Sequence, residues 1–396
     1  MEKNLSAKLS LIYIAIYGAL ACFFPFLIYY FQSKGLSYTE MGIVFAVVSI
    51  TGVIAQPIWG FVTDKYSNKR TILIITMILS SLAVYSLVFA YGFYFSILSI
   101  ILLLIFQSPV TPVADAYSYE IIEHHQKLQY GRIRLMGSFG YAMIALFLGY
   151  LVKYYGINSC YVVYSIVMLF GVFFVFSIEY KGEKKCTKIS LHDIINLIRD
   201  KKFSLLMLTI IFINIAIGSN GSYIPVLIDK TGGDVTQLGM VWFIVAISEL
   251  PALFFSVKLL QKYGELNLYI LGIALFAVRY FLDSLCNSYI PVIVIQLMQG
   301  ITFTFYLVAS LQYLNQITSA NMKTSAITLH AAATSIGGVI GNMGGGMLLE
   351  HTSIFILYKI LALACVTCLC LLIVLKNIDS LEDKGMSFAD ISCNRK

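Results

Sequence analysis

Charge is what this sequence has least of. Only 12% of its 396 residues are Asp, Glu, Lys or Arg, while 59% are hydrophobic; an ordinary soluble domain has roughly a quarter charged. No water-soluble core of this length could hide so much apolar surface. Histidine is scarce as well: the five are His124, His125, His192, His330 and His351, too scattered for a catalytic or metal set. The chain has no paired metal-ligand motif, no nucleophile motif and no appended soluble domain, so neither an enzyme nor a sensor is expected, and no metal or cofactor. Of the eight cysteines, Cys365, Cys368 and Cys370 share one apolar stretch with no neighbouring His or acid. They are expected to pack as small hydrophobes rather than to form a disulfide framework.

What is present is a series of long apolar runs. They cover 9–31, 41–62, 71–90, 94–122, 136–152, 159–178, 204–227, 238–257, 268–286, 290–317, 325–347 and 354–375. A helical membrane pass needs about 20 mainly apolar residues. These runs do not alternate as barrel strands do. The expected fold is therefore an all-α membrane protein of twelve transmembrane helices. Pro25, Pro57, Pro109, Pro112, Pro225 and Pro251 mark expected kinks, and helix 4, with Gln107-Ser-Pro-Val-Thr-Pro112, is the expected bent one. A secretory signal ending at Ala19-Leu20-Ala21 is set aside, because the apolar run continues to Ile28 and cleavage would destroy the first pass.

Positive charge gathers on one side of these passes. With both termini in the cytoplasm, twenty-two of the 27 Lys and Arg fall on inner segments; Lys34, Lys153 and Lys230 fall on outer loops, and Arg279 and Lys359 within passes. The asymmetry points to a multi-pass cell-membrane protein with both ends inside. The net charge of +7 reads as topology and contact with membrane lipid, not as a nucleic-acid surface.

The chain repeats itself. Thr39, Gly42, Lys65 and Tyr66 recur 197 positions later as Thr236, Gly239, Lys262 and Tyr263. Two related six-helix units joined by a charged loop are a transporter signature. The expected division is a first bundle over 1–180, a cytoplasmic linker over 181–203, a second bundle over 204–378 and a tail over 379–396.

The segment Gly60-Phe-Val-Thr-Asp64-Lys65-Tyr-Ser-Asn-Lys69-Arg70 resembles the loop motif of the major facilitator superfamily, in which two pseudo-symmetric six-helix bundles rock about a central site. By that resemblance Gly60, Asp64, Lys65, Lys69 and Arg70 form a gating motif, with the glycine permitting close helix approach and the charges pairing across neighbouring helix ends.

Charges inside the passes ask for a reason, since each costs about 2.5–3.5 kcal/mol at mid-bilayer. Glu249 and Arg279 lie near the middle of helices 8 and 9, with Asp115 in helix 4, Asp283 one turn beyond Arg279, and Lys359 in helix 12. One reading is a set of ion pairs, Arg279 with Glu249 or Asp283, with Asp283 and Lys359 reaching the interface. The other is a wet, functional cavity.

The text around these charges resembles the branch of lactose permeases and oligosaccharide–proton symporters, with looser similarity to aromatic-acid and nucleoside permeases. It is carried by Val113-Ala-Asp115-Ala-Tyr, Tyr130-Gly-Arg132-Ile-Arg134-Leu-Met-Gly137, Phe139-Gly-Tyr141-Ala, Ser248-Glu249-Leu and Val278-Arg279. The resemblance implies that Asp115 and Arg134 are an acid–arginine pair holding sugar hydroxyls, that Tyr141 stands where an aromatic ring stacks on the sugar, and that Glu249 and Arg279 complete the site; Gln299 on helix 10 is a further candidate substrate contact. It departs at the coupling residues: Gln299 and Thr302 replace a histidine and a glutamate, Gly218 and Gly221 replace aspartates, and Gly337 replaces a lysine.

The expected function is import of a small polar solute, a sugar or glycoside, by proton symport through alternating access, with a monomer as the working unit. Because Gln299 and Thr302 cannot exchange a proton, Glu249 and then Asp115 are the expected carriers. A permease for an aromatic acid or nucleoside, a drug–proton efflux transporter, a uniporter, and sodium in place of the proton stay open as alternatives.

Overall fold

Two glycine-lined faces of one helix organise the packing. The computed structural model describes residues 2–66, 68–123, 128, 130–178, 200–319 and 322–382. Its helices are α1 (Asn4–Ser33), α2 (Tyr38–Tyr66), α3 (Lys69–Leu87), α4 (Gly92–Gln107 and Val110–Glu123), α5 (Tyr130–Tyr155) and α6 (Ser159–Phe176). There follow α7 (Lys201–Lys230), α8 (Val235–Tyr263), α9 (Glu265–Asp283), α10 (Tyr289–Ile295 and Met298–Ile317), α11 (Lys323–His351) and α12 (Ile354–Glu382).

Eleven of these are long and apolar enough to cross a bilayer. The remaining expected pass is α11, a 29-residue helix whose Gly, Ser, Thr, Asn and His dilute its hydropathy. Its small residues serve packing instead. A methyl group added at Gly341 would meet the backbone of Ile215 at 2.9 Å, and one at Gly337 would meet Asn214 at 2.7 Å, both on α7. On the adjoining face, a methyl group added at Gly346 would stand 3.0 Å from the Cα of Gly42 on α2. Lipid tails are as apolar as leucine, so close backbone approach and dispersion, not a hydrophobic drive, hold such helices together.

Kinks fall where proline removes a backbone donor, with one exception. α1 breaks at the short turn Phe24–Phe26 around Pro25, and α4 breaks at Ser108 and Pro109. Pro57, Pro225 and Pro251 remain inside continuous helices. α10 is interrupted at Gln296 and Leu297 without a proline there.

α1 packs on α5 and α6, and α3 on α4 and α6; in the second set α7 packs on α11 and α12, and α9 on α10 and α12. The two sets meet through α5 against α8 and α2 against α11. Cross-links gather at the side away from the termini. Lys153 Nζ lies 2.8 Å from Asp234 Oδ2, Thr39 N donates to Glu350 Oε2 at 3.1 Å, Tyr29 donates to Pro225 O at 3.3 Å, and Asn342 donates to Phe45 O at 3.4 Å. A cavity of about 610 Å³ lies between α1, α2, α4 and α11, on the terminus side of the Gly42–Gly346 crossing, walled by Gln56, Gln107, Ser108, Thr111, Thr328 and Ser335 among apolar neighbours.

Several expectations are revised. Helix ends run past the apolar runs because a backbone can stay helical after its side chains turn polar: α7 starts at Lys201, inside the expected linker, capped by Asp200, and α12 continues to Glu382. Residues 181–199 of the linker and 383–396 of the tail lie outside the described residues, as do His124, His125 and His192. Gly60 does not mediate a close approach, since a methyl group there would meet nothing within 4 Å. The close crossing of α2 is at Gly42, on the opposite side. The side chains of Asp64 and Lys65 also lie outside the described residues. Lys69 pairs with Glu120 at 2.8 Å, and Arg70 donates to Phe176 O at 2.6 Å and Val175 O at 3.3 Å. These bonds tie the start of α3 to the ends of α4 and α6. Asp283, the last residue of α9, is fully buried in the protein rather than extended to its surface, whereas Lys359 is exposed.

Candidate functional site

The buried and half-buried intramembrane charges Asp115, Arg134, Arg279, Asp283 and Glu249 fall into three groups with different surroundings. On α4, Asp115 Oδ1 accepts from Tyr13 of α1 at 2.6 Å and from Tyr130 of α5 at 2.8 Å. Two phenols thus solvate a carboxylate that water cannot fully reach. Tyr119 stacks on Tyr130 with ring centroids 4.2 Å apart. Arg134, placed just outside helix 5 by hydropathy, instead lies one turn inside α5. Among the described residues it forms no ion pair with Asp115. Its guanidinium carbon sits 3.9 Å from the centre of the Tyr17 ring. Stacking of this kind suits a planar guanidinium and leaves its edges free to donate. Tyr17 also neighbours Thr111, a wall residue of the cavity.

Across the bundle, Arg279 on α9 is fully buried. Ion pairs to Glu249 or Asp283 are not formed; the acceptors are neutral amides on α10. Nη1 donates to Gln299 Oε1, and Nη2 to Gln296 Oε1 at 2.6 Å. Gln296 then donates to Asp283 at 3.3 Å. Gln296 stands at the interruption of α10, so the broken helix turns that amide between the cation and the acid. The Arg279 Nε atom is buried with no acceptor.

Glu249 on α8 forms the third group. It lies within electrostatic reach of Arg279 in its own half and of Arg134 in the other. Tyr141 on α5 also feels the Glu249 charge. Tyr141 meets Trp242 of α8 edge to face, centroids 6.3 Å apart. Arg134 and Tyr141 are seven residues apart on α5, as are Trp242 and Glu249 on α8, a spacing of two helical turns that returns to one face. The facing helices therefore present two rungs, an aromatic pair and a charged pair, roughly 10 Å apart along the axis. Beyond the aromatic rung the helices close on Gly149 and Gly239, whose Cα atoms would stand 3.0–3.1 Å from a methyl group on the partner.

The structure thus brings Arg134, Tyr141, Glu249, Arg279 and Gln299 into one region between the halves and sets Asp115 beside it through Tyr13, Tyr17 and Tyr130. Tyr13, Tyr17, Trp242 and Gln296 carried no signal in the sequence, and Tyr130 entered only as the first residue of a matched stretch. Tyrosine occurs 27 times, and neither phenols nor amides stand out in an apolar run as charges do. Among the described residues no group of His, Cys, Asp and Glu could hold a metal ion.

Comparison with known proteins fits this architecture. The MFS_1 like family profile matches residues 6–360. An uncharacterized transporter, YwbF, of Bacillus subtilis is 26% identical over 344 residues, covering 83% of both chains. The maltose permease of Geobacillus stearothermophilus is 26% identical over 352 residues, covering 88% of this chain and 89% of the permease. The crystal structure of the nucleoside transporter NupG superposes with a TM-score of 0.82 at 15% identity, over 94% of this chain and 99% of that one. A chain of apolar helices, with charges drawn inward between two packed sets and a profile match along most of its length, is a multi-pass membrane transporter rather than an enzyme, and it belongs to the MFS_1 like family of the major facilitator superfamily.

Proposed function

We propose that this transporter imports a sugar or glycoside by proton symport, through a site formed by Asp115, Arg134, Tyr141, Glu249, Arg279 and Gln299. The observation that carries this reading is that Glu249 lies within electrostatic reach of arginines from both halves. A carboxylate that faces guanidinium groups from two moving bodies changes its surroundings whenever those bodies rock, and such a change can load or release a proton. The guanidinium edges and carboxylate oxygens offer the multiple hydrogen bonds that vicinal hydroxyls need, and an aromatic face covers the apolar side of a pyranose. Similarity to a maltose permease supports the same class of solute. The division into bundles 1–180 and 204–378, with both termini cytoplasmic, belongs to this reading, and the cavity would then open inward. Asp64, Lys65, Lys69 and Arg70 would act at the inner gate.

A nucleoside is the second reading. It is favoured by the tyrosines around Asp115, whose flat rings suit a nucleobase, and by the likeness to a nucleoside transporter. Addition of maltose or uridine to lightly buffered cells tests both readings. Sugar–proton symport predicts alkalinisation of the medium on maltose addition, lost in Glu249→Gln. Uptake without proton movement, or coupled uptake that survives Glu249→Gln, overturns the coupling assignment.

A further inference from the structure

The chain holds two tryptophans, and they differ in one respect. Trp59 on α2 donates its indole N–H to Ile105 O at 2.7 Å. Trp242 on α8 has its Nε1 buried with no acceptor. An indole nitrogen only donates, and inside a span water is scarce, so a buried indole N–H without a partner is uncommon in a settled structure. The orphan atom belongs to a side chain that meets Tyr141 across the halves and shares a helix face with Glu249 two turns away. It also lies next to the closed crossing at Gly149 and Gly239.

We propose that Trp242 contacts the transported solute, donating its indole N–H to a solute oxygen while its ring forms, with Tyr141, the far wall of the site. This rests on the solute-site reading above and extends it in two ways. It adds an aromatic donor from the second half to a site whose other aromatic groups come from the first. It also sets a length, because a solute that touches Trp242 at one rung and the Arg134 and Glu249 pair at the other must span roughly 10 Å. A two-ring glycoside does so, whereas a single pyranose reaches only one rung. Since Trp242 and Tyr141 come from opposite halves, a solute resting against both also senses whether the halves are closed.

The Trp59→Phe protein, purified at full length in phospholipid vesicles, leaves Trp242 as the sole indole fluorophore. Titration with maltose, glucose, uridine and benzoate is expected to give a saturable change of emission with maltose, weaker with glucose. In otherwise native protein, Trp242→Phe keeps a ring and removes the donor; its maltose affinity, measured with labelled maltose, is expected to fall about tenfold. Trp242→Leu is expected to lose saturable binding. A titration in which none of the four solutes moves the emission overturns the proposal, as does a Trp242→Phe protein that binds maltose as tightly as the native one. A response to uridine and not to maltose keeps Trp242 as the contact and removes the sugar reading. Should the Trp242 variants fail to reach the membrane, the Trp59→Phe titration decides alone.

Discussion

Gly149 of α5 stands against Gly239 of α8, so close that a methyl group on Gly239 would lie 3.0 Å from the Gly149 Cα and 2.7 Å from Ala145 O. The same crossing occurs once more, between Gly42 of α2 and Gly346 of α11. Gly42 and Gly239 are 197 positions apart, as are Gly149 and Gly346. The internal repeat exchanges one pair for the other, so the far side is closed by two symmetry-related glycine contacts.

Gly239→Leu is expected to prevent that closure. Overpacking a tight contact costs about 1–3 kcal/mol, enough to shift a two-state equilibrium roughly 5- to 150-fold. Uptake should fall at least fivefold, with protein abundance unchanged and solute still bound from the far side. Labelling of a cysteine introduced at Val235 reads the opening, and unchanged labelling would count against the gate.

Arg134→Ala and Glu249→Ala are each expected to abolish solute binding while leaving the protein in the membrane. Arg134→Lys should fail to restore it, because a compact ammonium can neither stack on Tyr17 in the same way nor donate from two edges. Binding of labelled maltose in vesicles checks this, and near-native affinity in either alanine variant would remove that residue from the site.

The Lys153–Asp234 link carries a pH dependence of defined sign. Against the upward pull of its partial burial, hydrogen bonds from Lys153 and Thr236 hold the Asp234 carboxyl below its ordinary value of 3.8. A depressed carboxyl pKa favours the linked state above the free value, and that contribution fades as pH falls through the lowered one. The link should therefore be indifferent to pH across the neutral range and fail only in acid below about 4. Asp234→Asn should reproduce the acid state at pH 7, with a change in far-side labelling of no more than a few-fold, since exposed ion pairs contribute little. A midpoint near neutrality would assign the effect to another group.

The loop charges predict cytoplasmic termini, and accessibility checks this. Cysteines introduced within 182–190 are expected to resist impermeant reagents applied to intact cells and to react after permeabilisation. Labelling from outside would reverse the topology.

How far the site could be read in the sequence depended on side-chain chemistry. Asp115, Glu249 and Arg279 stood out because an ionised group in an apolar run is costly wherever it faces lipid, and Arg134 was found through its neighbours rather than its own context. Trp242, Gln296 and Tyr17 gave no such signal, since aromatic rings and amides are tolerated in a span. Gly60 was read as the close approach of α2, but nothing in one strand of text distinguishes it from Gly42; the crossing point is a property of two helices.

By itself the sequence determined the all-helical membrane class, the helix count to within one diluted span and the internal repeat, and it predicts a sidedness. Each follows from hydropathy, length or the distribution of Lys and Arg, which are local quantities that bilayer thickness and charge transfer act on directly. The tertiary structure alone decided that Arg279 is held by Gln299 and Gln296 rather than by an acid, that Asp115 is solvated by two tyrosines, and that Glu249 comes within electrostatic reach of arginines from both halves. Those outcomes depend on which helix faces meet. In a bilayer that is settled by backbone approach at small residues far from the charges themselves, as at Gly149 and Gly239, and no window of sequence around a charge contains it.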